Sequence, residues 1–291
     1  MKDGFVNFLK PPGMSSHDAV GCVRRALGLK KAGHAGTLDP GAAGVLPIAV
    51  GRATRLLEYV GGARKSYRAE LRFGVETDSG DDLGEIVTQG DAVIPDDETL
   101  MRAVRSLTGE ISQTPPIFSA VKIGGRRACD LARQNAEVEI PSRLVTVYRL
   151  EILARNEREK TLLLDIDCSK GTYIRSLCRD LGRAAGVRAT MAFLVRSRVG
   201  AFMLENAHTP EELKTMGETA VEQPQDYLGH LPRYDLPEAR VKAFLNGLST
   251  HVDDASCTSG PLAVFSGEAF LGIGRYDEMS SSLVPEKVYK S

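Results

Sequence analysis

The sequence predicts an α+β fold: a mixed, mainly antiparallel central sheet, followed by a small β-rich unit at the C-terminal end. Three observations predict it. The segment YRAELRFGV (67–75) alternates apolar and polar residues without a break, as a strand with one buried face does. Strand-like and helix-like segments follow one another in irregular order rather than as a βαβ repeat, which favours an antiparallel sheet. The composition changes near 220, and from about 232 short apolar runs replace the longer elements.

The elements follow in order. A helix is expected at 16–27, capped by Ser15 or Ser16, with Val20, Val23 and Leu27 at helical spacing and Gly28 as its end. The stretch KKAGHAGTLDPGAAGVLPIAVG carries too many glycines and prolines for one regular element. It reads as a loop followed by a short buried segment, Val45 to Val50. In 67–75, Tyr67, Ala69, Leu71, Phe73 and Val75 share one face, and Arg68, Glu70 and Arg72 the other. TDSGDDLGE is a turn-rich loop. A helix at about 97–108 has Asp96 as cap, Leu100, Val104 and Leu107 as its stripe and Gly109 as its stop. TLLLDIDCS is a strand running directly into the helix KGTYIRSLCRDLGRAAG, with Ile174, Leu177, Cys178 and Leu181 inward and Arg175, Arg179 and Arg183 on another face. The last elements are a helix, PEARVKAFLNG, ended by Asn246-Gly247, and two apolar runs, LAVF and AFLGIG, joined through Ser266-Gly267 as a hairpin. Some sixty residues make a marginal domain alone, so this unit is expected to dock on the larger one.

Composition narrows the function classes. No apolar run reaches the roughly 18 residues that span a bilayer, and the N-terminal segment lacks a signal-peptide core, so a cytoplasmic protein is expected. The five cysteines form no C-x-x-C pair and the five histidines no metal-ligand spacing, which argues against a disulfide framework or a zinc site. Net charge is −1, but it is unevenly spread. Residues 1–80 carry 12 Lys/Arg against 7 Asp/Glu, and 170–198 carry 7 against one. Two basic blocks in an otherwise acidic chain fit either solvated faces or a polyanion partner.

Among motifs, GGARKS (61–66) is not a phosphate-binding loop, because Arg64 and Tyr59 stand where that loop needs glycine. The informative stretch is GHAGTLDPG (33–41). Pro40 biases Asp39 toward extended backbone, and Gly36 and Gly41 allow tight turning on both sides. Such a loop can present a carboxylate to a ligand, although the same residues also build ordinary turns.

The order of residues in GHAGTLDPGAAGVLPIAVG resembles the loop of TruB-type pseudouridine synthases that carries the catalytic aspartate. NFLKPPGMSS (7–16), KSYRAELRFGVETDSGDDLGE, QTPPIFSAVKIGG (113–125), CSKGTYIRSLCRDLG and FLVRSRVGAF resemble the family's other motifs, in the family's order over about 5–205. The tail resembles the small PUA-like domain that ends many members. Departures stand at Phe118 and Cys129 (often Tyr), Asn135 (often Gly), Ala43 (usually Thr) and Val195 (frequently Arg).

The resemblance implies a pseudouridine-synthase fold over 1–231, with a tRNA-gripping insertion at about 110–143, and a PUA-like domain over 232–291. It implies isomerisation of uridine 55 in the tRNA T loop, with no cofactor and no obligatory protein partner; a monomer is expected, and the composition points to no metal and no membrane. It assigns a catalytic set of Asp39, Tyr67 and Arg175: Asp39 as the catalytic aspartate, Tyr67 as the aromatic that stacks on the base and takes part in proton transfer, and Arg175 as the partner of Asp39. It places Tyr173 and Leu194 in the base pocket, His34 in the RNA loop and Lys10 behind the active-site loop. The chemistry of these residue types agrees: a nearby Arg favours an ionised carboxylate, and an aromatic face is a platform for an unstacked base. Two alternatives stay open on sequence: an RNA-folding chaperone that keeps the fold without essential catalysis, and a guide-RNA-dependent synthase.

Overall fold

The computed structural model describes residues 3–62, 64–119, 121–128, 134, 139–252 and 260–289. Cys129, Asn135 and Cys257 lie outside these residues, as does part of the predicted insertion. Among the described residues, nine strands form the main sheet. Its order is Gly4–Lys10, Ala43–Val50, Ala189–Val199, Lys65–Phe73, Thr161–Cys168, Arg143–Asn156 and Gly109–Gln113, with two short strands, Ala32–His34 and Phe202–Met203, added alongside. The pairings are antiparallel except for a short parallel bridge of Val195 and Arg196 with Ala43 and Gly44. The predicted sheet is therefore present, and mixed only at that bridge.

The burial patterns explain which strands were easy to read. In Lys65–Phe73 the side chains of Tyr67, Ala69, Leu71 and Phe73 are buried, while those between are not. The strand begins two residues earlier than the alternation suggests and stops at Gly74 (φ +98°), so Val75 opens a separate short strand. Ala43–Val50 is buried at seven consecutive positions. Leu46, Ile48 and Val50 join the main core, whereas Val45 and Ala49 join a second core on the opposite face. A strand covered on both sides has no reason to alternate.

Three helices cover one face and complete the main core. Ser16–Ala26 is held by a capping box between Ser15 and Asp18, Asp97–Ser106 by the Asp96 carboxylate on the Thr99 amide, and Ile174–Ala184 buries Ile174, Leu177, Cys178 and Leu181. The last of these does not run straight out of its strand. Gly171 adopts φ +88° and residues 169–172 close a turn first, so the helix begins only at Ile174.

Among the described residues the C-terminal part forms a five-stranded sheet that includes the expected hairpin, Pro261–Ser266 with Ala269–Asp277, turning at Gly267 (φ +56°). The helix Glu238–Leu245 ends at Asn246 and Gly247 as predicted. One face of this sheet has its own small core around Phe244, Val264 and Leu283. The other face, with Phe265, Phe270, Ile273 and Tyr289, packs with Phe5, Val45, Phe202 and Tyr227 of the preceding chain. Phe202 and Tyr227 stack at 3.7 Å there, and the Tyr289 hydroxyl donates to the Asp3 carbonyl at 2.8 Å. The expected docking is thus observed. Among the described residues no helix is long and apolar enough to cross a membrane.

Candidate active site

Residues 36–42 leave the sheet between Ala32–His34 and Ala43–Val50, and three sets of donors fix their path. Ser16, in the first turn of its helix, bonds Leu38 twice: its hydroxyl donates to the carbonyl and accepts from the amide, both at 2.8 Å. The buried Lys10 ammonium donates to the carbonyls of Pro11 (2.8 Å), Met14 (2.7 Å) and Pro40 (3.3 Å). Arg196 donates to the carbonyls of Val45 (2.8 Å), Thr37 (3.2 Å) and Gly36 (3.2 Å). The two flanking glycines differ. Gly36 uses its freedom (φ +94°). Gly41 does not have a positive φ, and a Cβ there would meet only the end of the exposed Leu83 side chain, at 2.9 Å, so neither backbone nor space demands glycine at that position.

Asp39 projects from this loop with its side chain 37% exposed, and its Oδ2 lies 2.9 Å from Arg175 Nε. The arginine side chain is only 6% exposed. It does not lie on a solvent face with Arg179 and Arg183. Its two terminal nitrogens donate to the carbonyls of Ser79 (2.7 Å) and Phe118 (2.9 Å), and Asp81 approaches Nε at 3.8 Å. Arg175 therefore joins four chain segments: its terminal nitrogens are held by backbone carbonyls, which leaves Nε to face the carboxylate. Phe118 takes part through its backbone, so the departure from Tyr leaves this bond intact.

The pair opens into a cleft of about 960 Å³ lined by His34, Asp39, Tyr67, Tyr173, Arg175 and Leu194, among others. Six of the seven predicted residues thus face one cavity, and Lys10 stands behind its wall. Tyr67 is buried and its phenol is held protonated, burial raising its pKa, while the hydrogen-bonded Arg196 opposes that shift. Tyr173 is clamped by Gln113, which accepts from its amide (2.8 Å) and donates to its carbonyl (3.1 Å). The Arg143 guanidinium covers its ring at 4.7 Å. Burial, with the Arg196 charge adding to it, lowers the His34 pKa, so the imidazole is neutral at pH 7. Burial likewise lowers Lys10 to about 8, partly offset by the Asp39 charge.

Sequence reasoning missed Arg196, Lys65, Asp81 and Gln113 as site residues. All four lie inside the quoted motifs, but neither spacing nor composition distinguishes them. The basic block at 170–198 also resolves differently from a free cationic face. Arg175 and Arg196 serve the cleft, and Arg183 and Arg188 both bind Glu76 (2.7 and 3.3 Å). Arg179 holds Asp180 (2.9 Å), while Lys170 stays exposed.

A nine-stranded sheet sets an acid, a fixed arginine and two aromatics around one cleft, an arrangement that can hold a planar base beside a carboxylate. Sequence profiles narrow this. Residues 24–174 match the TruB family pseudouridylate synthase N-terminal domain, and 175–232 match the tRNA pseudouridylate synthase B C-terminal domain. The chain belongs to the TruB family of pseudouridylate synthases. A relative from Symbiobacterium thermophilum, a tRNA pseudouridine synthase B, is 49% identical over 86% of this chain and 84% of its own. Another of that name, from Carboxydothermus hydrogenoformans, is 39% identical over 99% of both. A solved Cbf5-Nop10-Gar1 complex contains a chain that superposes with a TM-score of 0.76 at 27% identity, over 99% of this chain and 84% of that one.

Proposed function

We propose that this protein is a tRNA pseudouridine synthase that isomerises uridine 55 of the T loop, with Asp39 as the catalytic residue. The observation that carries the reading is the 2.9 Å Asp39–Arg175 pair at the mouth of an aromatic-lined cleft, in a chain whose near relatives bear that enzyme's name.

The target base lies inside a folded loop and must be extruded, at a cost of a few kcal/mol. Stacking on Tyr67 and packing on Leu194 and Tyr173 offset that cost. His34 enters the vacated stack. Asp39 then acts on the ribose, either on C1′ or on the C2′ proton. The C1′–N1 bond breaks with its electron pair on the base, and the base turns. C5 bonds to C1′, C5 gives up its proton and N1 gains one. Atoms and charge balance without a redox partner.

In this reading residues 1–231 form the catalytic domain, with 110–143 as the insertion that grips tRNA, and 232–291 form the PUA-like domain. The protein works in the cytoplasm as a monomer, without an obligatory protein partner. Relatives at 39–49% identity are named for tRNA, whereas the chains from an H/ACA RNP and a Cbf5-Nop10-Gar1 complex share 26–27%; this favours direct action on tRNA by the chain alone.

The test is to incubate the purified chain with an unmodified T-arm stem-loop and map pseudouridine by chemical modification and primer extension. Product at the single T-loop uridine, without added RNA or protein, is expected. No product, or product only with a guide RNA, contradicts the proposal.

A further inference from the structure

The cleft contains a cation that the mechanism above leaves unused. Lys65 opens the strand Lys65–Phe73, two residues before Tyr67 and on the same face, and lines the same cavity. It is only 9% exposed. Its ammonium lies against Gly36, where a Cβ would come within 3.5 Å of Nζ. Among the described residues no carboxylate lies within ion-pair distance of it. The groups acting on it are Arg196 from the strand Ala189–Val199, the buried Cys168 thiol from Thr161–Cys168, and Lys170 just beyond. Two of these are cations. Burial, and after it the Arg196 charge, lowers the Lys65 pKa from its ordinary 10.5 to about 8, so the group is charged at pH 7.

A buried ammonium among cations is unfavourable unless something else supplies negative charge. We propose that Lys65 is a further catalytic residue, whose ammonium hydrogen-bonds a carbonyl oxygen of the extruded uracil and stabilises the negative charge the base carries after its glycosidic bond breaks. This rests on the function proposed above. The depth of Lys65 decides for the base: a charged backbone phosphate favours solvent, whereas a buried side chain beside Tyr67 meets the ring that stacks there. The charge is transient. It arises when C1′–N1 breaks with its electron pair on the base and disappears when C1′–C5 forms and the C5 proton leaves. Lys65 gives up no proton in the cycle. A preorganised donor aimed at charge present only along the reaction path raises rate more than affinity.

The experiment is single-turnover conversion of a T-arm stem-loop by wild type, Lys65→Met and Lys65→Arg, from about pH 6 to about pH 10, with RNA binding and thermal melts in parallel. Lys65→Met should bind RNA within about threefold of wild type while losing about a hundredfold or more in rate. It should melt no lower than wild type, because a poorly solvated charge has been removed. Wild-type rate should fall above about pH 8, where the ammonium loses its proton. That falling limb should vanish in Lys65→Met and move upward in Lys65→Arg, which restores part of the rate. A Lys65→Met rate within about threefold of wild type overturns the inference. So does a loss confined to RNA affinity, the mark of a phosphate contact. A limb that stays at the same pH in Lys65→Arg also overturns it, since Lys10 titrates near the same value. If wild type makes no pseudouridine, the assigned function fails and this inference with it; an active wild type with an unimpaired Lys65→Met removes this inference alone.

Discussion

Arg175 organises the site through four contacts made by one side chain. Lysine at that position keeps the charge but has no planar fork, and cannot serve Asp39, the Ser79 carbonyl and the Phe118 carbonyl together. Arg175→Lys is therefore expected to lower the single-turnover rate by about 10²–10³ while leaving RNA affinity within a few-fold, as rapid-quench assays and filter binding can show. Individual residues were unevenly legible. The residue pattern alone allowed Asp39 to be an ordinary turn residue, and only the resemblance singled it out. Arg175 looked like one member of a solvated stripe with Arg179 and Arg183. Its burial depends on Ser79, Asp81 and Phe118, which approach from 57 to 96 residues away. Arg196 was harder still. It is 1% exposed, and Arg198 two positions later is a third exposed. A register shift between them, at their pairing with Lys65–Phe73, separates their surroundings, and a bulge leaves no mark in apolar periodicity.

Among the elements, legibility followed the number of covered faces. Helices capped by Ser15 and Asp96 and the alternating strand through Tyr67 were read correctly, because one face of each meets water. Ala43–Val50, covered on both faces, could be read only as a buried segment. Its parallel bridge to Ala189–Val199 carries the most exacting backbone position in the site. Gly44 has φ +114°, and a Cβ there would lie 2.2 Å from the Arg196 carbonyl oxygen. Gly44→Ala must push apart the two strands that hold Arg196 against the aspartate loop. An unfolding free-energy loss of about 2–4 kcal/mol is expected, measurable by urea denaturation, with a fall in activity at temperatures where the protein remains folded. Ala43 and Val195, two departures from the family pattern, are direct partners across the same bridge.

At the scale of the whole molecule, the C-terminal unit closes the second core and the buried cations set the pH response. The composition shift announced a separate β-rich unit, but not which face would dock, because Phe5, Phe202 and Tyr227 come from three distant segments. Lys10 and Lys65 both have folded pKa values near 8 against an ordinary 10.5. Between those limits the unfolded chain binds more protons than the folded one, so stability should rise with pH from about 8 to about 10. Above about pH 10 the trend should reverse, since burial holds the Tyr67 phenol protonated in the fold. Urea unfolding across this range checks both signs, and Lys65→Met should flatten the rise. The formal charge gave little warning of this behaviour, because most of the arginine block is paired internally.

If the Asp39 carboxylate does the chemistry in a site that binds RNA without it, one substitution separates the two activities. Wild type and Asp39→Asn are each mixed in excess with unmodified T-arm stem-loop, and pseudouridine formation and RNA affinity are measured on the same samples. No detectable product is expected from Asp39→Asn at times when wild type has converted all of its substrate, with affinity little changed. Conversion by Asp39→Asn at a rate near that of wild type would contradict the catalytic role of Asp39.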